Sequence, residues 1–140
     1  MAKVEMATQL PVPAERVWDL TGGFHTLADW HPAVEKSEIE TEGTTTLRRL
    51  YLAGGGTVLE RLEAVDDDER VLSYSIGESP LPVGDYLATL RVRDRGDGES
   101  CTVEWSSEFN PVGVPESDAV KVIQGIYQAG FESLKRIFGG

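Results

Sequence analysis

A chain of 140 residues, 40% apolar and 26% charged, has the makeup of one folded domain over residues 1–140, and disorder is excluded as its default state. Its 13 Lys and Arg against 24 Asp and Glu leave a formal charge of -11, a field that repels nucleic acid and anionic membrane alike. No apolar run reaches the roughly 18 residues that insert into a bilayer, Glu5 interrupts any leader-like start, and Cys101 is the one cysteine, so a cytoplasmic protein without an internal disulfide is expected.

In chain order, Lys3 to Leu10 reads as a first strand stopped by Pro11 and Pro13. The period then changes. Pro13 opens a short helix with Val17, Trp18 and Leu20 on its apolar side, and Thr21-Gly22-Gly23 closes it. A second helix is predicted over Phe24 to Trp30, where Phe24, Leu27 and Trp30 fall on one side and Pro32 ends it. From Val34 onward six strands follow, VEKSEIET, TTTLRRLYL, GTVLERLEAVD, ERVLSYSI, GDYLATLRVRD and SCTVEWSSEF, separated by Gly- and Asp-rich turns. Short turns between alternating strands predict an antiparallel meander.

The faces of two strands sort by alternation. Val103, Trp105, Ser107 and Phe109 share one side, as do Tyr86, Ala88, Leu90 and Val92, so a largely apolar face needs a cover. The one long helix, from Pro115 or Glu116 to Phe138, supplies it. Val120, Ile123, Tyr127, Phe131, Leu134 and Phe138 recur at three or four, with Ile126 and Ile137 widening the stripe. Gly125 and Gly130 each cost up to about 1 kcal/mol there relative to alanine. They either permit close packing or a bend, or leave room for a bound molecule.

Strand, two small helices, a curved antiparallel sheet and a closing helix is a rare order. With VPAERVWDLTGGFHTLADWHPAVEKSE (Val12 to Glu38) and the aromatic helix Ile123 to Phe138, it resembles the START-like or SRPBCC superfamily, in its polyketide cyclase/dehydrase and lipid-transport branch. The resemblance spans essentially the whole chain. It implies an α+β helix-grip fold: a seven-stranded curved antiparallel sheet wrapped around the long helix, with a hydrophobic cavity between them. Carriers, lipid-transfer domains, hormone receptors and cyclases share that fold, so it leaves the reaction open.

On that expectation Tyr74, Tyr86, Trp105, Ser107 and Phe109 of the sheet, with Tyr127, Gly130 and Phe131 of the helix, are the candidate ligand-binding set. Such sites are mostly apolar with a few directed polar groups. Arg48 and Arg49 point to opposite faces of their strand. An inward arginine needs a carboxylate, from Glu60 or from a ligand, and Arg49 is the candidate. The segment GESPLPVGD, Gly77 to Asp85, presents Leu81, Pro82 and Val83 as either a gate over the cavity or an ordinary hairpin connection.

Other chemistry is sparse. Asp29 and His31, two apart before Pro32, read as chain-turning neighbours of Trp30 rather than a catalytic dyad, and His25 adds no motif. Two histidines, one cysteine and dispersed acids form no familiar metal spacing, so no metal and no cofactor are expected. Gly54-Gly55-Gly56 lacks the phosphate-loop pattern and reads as a hairpin, and Cys101 reads as a strand residue rather than a nucleophile. The expected function is binding or transport of a small hydrophobic molecule, lipid-like or polyketide-like. The alternatives are a polyketide cyclase/dehydratase, whose catalytic residues the sequence does not identify, and a non-enzymatic regulatory protein-interaction domain.

Overall fold

The computed structural model describes residues 1–139. Strand β1 (Ala2–Leu10) leads into helices α1 (Ala14–Thr21) and α2 (Leu27–Trp30). Six strands follow: β2 (Val34–Glu42), β3 (Thr45–Leu52), β4 (Thr57–Asp66), β5 (Val71–Glu78), β6 (Val83–Asp94) and β7 (Cys101–Pro111). Helix α3 (Glu116–Phe138) closes the chain. All seven strands form one antiparallel sheet in the order β1-β7-β6-β5-β4-β3-β2. This is the helix-grip arrangement that the family resemblance implies.

The sheet curves because its ladder is broken at chosen points. Register shifts fall in β4 against β5 on both sides of Glu60–Leu62, and in β6 between Gly84 and Leu87, where Asp85 adopts a φ of 50°. Each adds local twist and bends the strand. On the concave face the alternation read from β6 and β7 holds: Tyr86, Ala88, Leu90 and Val92, with Val103, Trp105, Ser107 and Phe109, are all buried.

Helix α3 begins after Pro115, carries Glu116 and Asp118 in its first turn, and carries Lys135 and Arg136 in its last, as its dipole favours. It buries Ile123, Tyr127, Phe131 and Leu134 with Ala119 and Gly130, but Ile137 faces outward and does not extend the stripe. The helix rests on β1 and β7, and α2 braces its middle. Strands β3 to β5 are therefore left without a helix directly upon them. No helix among the described residues is long and apolar enough to cross a membrane.

The second helix is shorter than predicted, starting at Leu27 rather than Phe24. Contacts made by two residues, Thr26 and Phe24, account for the loss. The Thr26 hydroxyl lies 2.6 Å from the Leu20 carbonyl and 2.8 Å from that of Gly23, stabilising a turn in competition with helix. The Phe24 carbonyl accepts from Arg48 Nη1 at 3.1 Å, and its ring lies 4.3 Å from the same guanidinium. On the other side of the domain, Trp18 Nε1 donates to Asp67 Oδ1 at 3.0 Å, so the acidic β4–β5 turn anchors α1.

Candidate functional site

Between strands β3 to β5 and the near side of α3 lies a cavity of about 340 Å³. Leu50, Val58 and Ile76 line its sheet side, Ile123 and Ile126 its helix side, and Leu27 with Val34 its end. The mouth is framed by two loops. Ala53, Gly54 and Gly55 of the β3–β4 hairpin stand on one side and Leu81 of the β5–β6 connection on the other. Gly55 and Gly56 have φ of 96° and 91°, which suits the turn to glycine, and a Cβ on Gly56 would lie 3.6 Å from Pro80, so the loops nearly touch.

One wall is an aromatic stack. Trp105 and Tyr127 lie face to face with ring centroids 4.2 Å apart and planes 15° from parallel. Trp105 Nε1 donates to the Tyr74 hydroxyl at 2.9 Å, and the Tyr86 and Tyr127 hydroxyls are hydrogen-bonded to each other. Burial pushes all three phenols above the ordinary tyrosine value, so each keeps its proton at neutral pH. Ser107 lies beside Tyr127, yet its buried hydroxyl has no partner within hydrogen-bond geometry among the described residues.

The charged end is built by β3 and β4, where Arg48 and Glu60 are register partners on the concave face. Arg48 Nε donates to Glu60 Oε1 at 2.6 Å, and Nη2 lies 2.6 Å from the same oxygen. The guanidinium is sandwiched between the rings of Phe24 at 4.3 Å and Tyr74 at 4.8 Å. Burial raises the Glu60 carboxyl above its usual value, and Arg48 offsets only part of that rise. A pair this deep is costly to break singly, about 3–5 kcal/mol, because the survivor becomes an uncompensated buried charge.

His31 closes the cavity from the side of α2. Its Nε2 donates to the Ile126 carbonyl at 2.7 Å and its Nδ1 accepts from the Ala33 N–H at 3.1 Å. Burial lowers its pKa below 6.5, which keeps the ring neutral. Gly130 makes room for this contact. A Cβ there would stand 2.9 Å from Trp105, 3.0 Å from His31 and 3.1 Å from Trp30, all closer than side chains ordinarily approach. Of the two readings of that glycine, close packing is the one realised, and Gly130 does not open onto the cavity.

The predicted site residues divide. Tyr74, Tyr86, Trp105, Tyr127 and Leu81 line the cavity. Phe109 and Phe131 lie behind that wall, their rings 6.0 Å from Tyr86 and 6.2 Å from Trp105. Ser107 is buried between wall and helix without reaching the cavity. Arg49 faces the opposite way, donating to Glu40 Oε2 at 2.7 Å, so the inward arginine is Arg48. Val83 belongs to strand β6, opposite Pro111, and Pro82 stands beside the mouth without lining it, which shortens the predicted gate loop. Cys101 is fully buried and its thiol is raised by burial, which leaves it unreactive as a nucleophile.

Three wall elements lie outside the predicted site. Glu60 and His31 carry suitable chemistry that the sequence does not place in the cavity, although the alternation of β4 around Val58 and Glu60 is a signal for the first. The Gly54–Gly55 hairpin is a turn by sequence, and only its tertiary position makes it a rim.

Comparison with known proteins places this geometry in context. The family described as polyketide cyclase / dehydrase and lipid transport matches residues 1–139. The structure of XoxI from Bacillus cereus superposes with a TM-score of 0.93 at 38% identity, covering 99% of this chain and 96% of that one. A START superfamily protein from Mycobacterium smegmatis gives 0.82 at 12% identity, covering 97% and 96%. The Zhui aromatase/cyclase from a Streptomyces species gives 0.74 at 22% identity, covering 99% and 96%. A comparison with curated proteins finds no match. With residues 1–139 matched, the chain belongs to the polyketide cyclase / dehydrase and lipid transport family, and it shares its fold with a START superfamily protein.

Proposed function

We propose that the protein binds and carries a small hydrophobic molecule in the cavity between β3–β5 and α3. The observation that supports this is the cavity itself: about 340 Å³, walled by aliphatic and aromatic side chains, with its polar groups gathered at Glu60 and the phenols. Its volume falls at the lower end of ordinary ligand sites, about 300–1,000 Å³. Removing about 300 Å² of apolar ligand surface from water at about 25 cal/mol per Å² supplies about 7 kcal/mol. After the cost of association, an affinity in the micromolar range or weaker is expected.

A cyclase or dehydratase is the second reading, favoured by the Tyr74, Tyr86 and Tyr127 hydroxyls that stand in one wall, where an enolate oxygen would need donors. Its candidate bases are already engaged: both His31 nitrogens are hydrogen-bonded, and Glu60 is ion-paired to Arg48 through Oε1. Carriage is therefore the stronger reading.

Two measurements test it. N-phenylnaphthylamine should brighten on addition to the protein and quench Trp105 by energy transfer, and native mass spectrometry after gentle purification should retain a small-molecule adduct. A protein that neither binds the probe nor carries an adduct would refute carriage. Turnover of a poly-ketone without stable binding would favour the cyclase.

A further inference from the structure

The polar end of the cavity is asymmetric, and that asymmetry selects among ligands. Both short contacts from Arg48 converge on Oε1 of Glu60, and among the described residues no donor hydrogen-bonds to Oε2. The cavity touches Glu60 but not Arg48, whose guanidinium is buried behind it between Phe24 and Tyr74. On the neighbouring strand, Tyr74 sits diagonally across from Glu60, since Glu60 pairs with Ile76 and Leu62 with Tyr74. The Tyr74 oxygen already accepts from Trp105, so its own O–H is the group left to donate. A carboxylate oxygen lacking one donor and a phenol lacking one acceptor thus share the same wall.

We infer that the ligand is a neutral molecule with an apolar body and a hydroxyl at one end, which donates to Glu60 Oε2 and accepts from the Tyr74 O–H. This rests on the carrier reading above and narrows it. A carboxylate ligand is rejected, because it has no proton to offer Glu60 Oε2 and would set acceptor against acceptor, and Arg48 is already committed to Oε1. A ligand ammonium is disfavoured too. It would surrender its hydration to meet a carboxylate whose charge Arg48 has already compensated. A hydroxyl carries no such penalty and satisfies one donor and one acceptor at once. Of the two carboxylates that could satisfy an inward arginine, Glu60 and one on a ligand, Glu60 is the one that does so.

The test uses naphthalene with its hydroxyl, carboxylate and aminomethyl derivatives, titrated into the full chain and followed by the Trp105 indole N–H in proton–nitrogen correlation spectra. Naphthol should bind about tenfold or more tighter than naphthalene, the effect of one hydrogen bond to a charged acceptor. Naphthoate should bind weakest. Equal affinities, or tightest binding by the carboxylate or the amine, would overturn the inference while leaving the carrier reading intact. Failure of all four together with N-phenylnaphthylamine would instead remove the carrier reading itself.

Variants provide the second arm. Glu60→Gln should relieve the discrimination against naphthoate. Because that change strands Arg48, the double variant Arg48→Met with Glu60→Leu, which deletes both charges together, guards against misfolding as an explanation. It should bind naphthalene and naphthol within about twofold of each other. A naphthol preference that survives in the double variant would overturn the role of Glu60.

Discussion

His31 joins α2 to the middle of α3 through a 2.7 Å hydrogen bond from Nε2 to the Ile126 carbonyl, while Nδ1 accepts from the Ala33 N–H. Both bonds require the neutral ring with its proton on Nε2. Burial holds the folded pKa below the ordinary 6.5, so the unfolded chain takes up a proton first as pH falls. The contribution of His31 to stability is therefore complete above about pH 6.5 and is lost progressively toward the lower folded value. His31→Gln is expected to cost about 1–3 kcal/mol near neutrality. Urea denaturation at about pH 7.5 and about pH 5.5 should show the gap between wild type and variant narrowing at the lower value. A gap independent of pH would contradict the neutral-tautomer assignment.

The two glycines inside α3 make opposite predictions. Around Gly125 nothing lies within 4 Å of a built Cβ, so Gly125→Ala should stabilise by up to about 1 kcal/mol through helix propensity alone. At Gly130 the same methyl meets three rings at 2.9–3.1 Å, and those rings are locked against one another by stacking and by the His31 bond. Gly130→Ala should destabilise by about 1–3 kcal/mol despite the better propensity. Denaturant midpoints of the two variants moving in the same direction would show that the packing around Gly130 is softer than described.

These glycines also mark the boundary of what the sequence reveals. Alternation in β6 and β7 and the three-four period of α3 determined the concave wall, because burial on one face leaves a period that can be read locally. Tyr86, Trp105 and Tyr127 were legible as cavity residues for that reason, whereas Tyr74, on β5, was legible only by its chemical type. The choice between Arg48 and Arg49 was not, since β3 has Leu50 buried but otherwise only partly covered side chains around the pair, and one residue of phase reverses the answer. Gly130 was equally ambiguous. Its role is set by Trp30, His31 and Trp105, which lie far away along the chain.

The phenols predict an alkaline signature. Of the four tyrosines, Tyr74, Tyr86 and Tyr127 are buried and raised by desolvation, while Tyr51 lies on the outer face and is raised chiefly by its contact with Glu38. A phenol whose folded pKa exceeds its unfolded value of 10.0 stabilises the fold below that value. That stability is lost as pH rises through it toward the folded pKa. Tyrosinate absorbance should therefore show one phenol ionising reversibly with the fold intact and three appearing together with cooperative unfolding. Three independent reversible titrations would mean that water already reaches the aromatic wall.

Filling the cavity should separate folding from binding. Ile126 is half-buried on α3, its side chain in the cavity wall, and its carbonyl serves His31 whatever side chain it bears. Ile126→Trp extends apolar surface into the cavity instead of against a packed neighbour, so the usual penalty for overpacking does not apply in full. The thermal midpoint should stay within about 4 °C of wild type, corresponding to a change of about 1 kcal/mol or less. N-phenylnaphthylamine affinity should fall at least about tenfold, because the indole occupies a large share of a cavity near the lower limit for ligand sites. A folded variant with undiminished affinity would place the ligand outside the space between β3–β5 and α3, and the contacts made by Glu60 and Tyr74 would then have no bearing on what the protein carries.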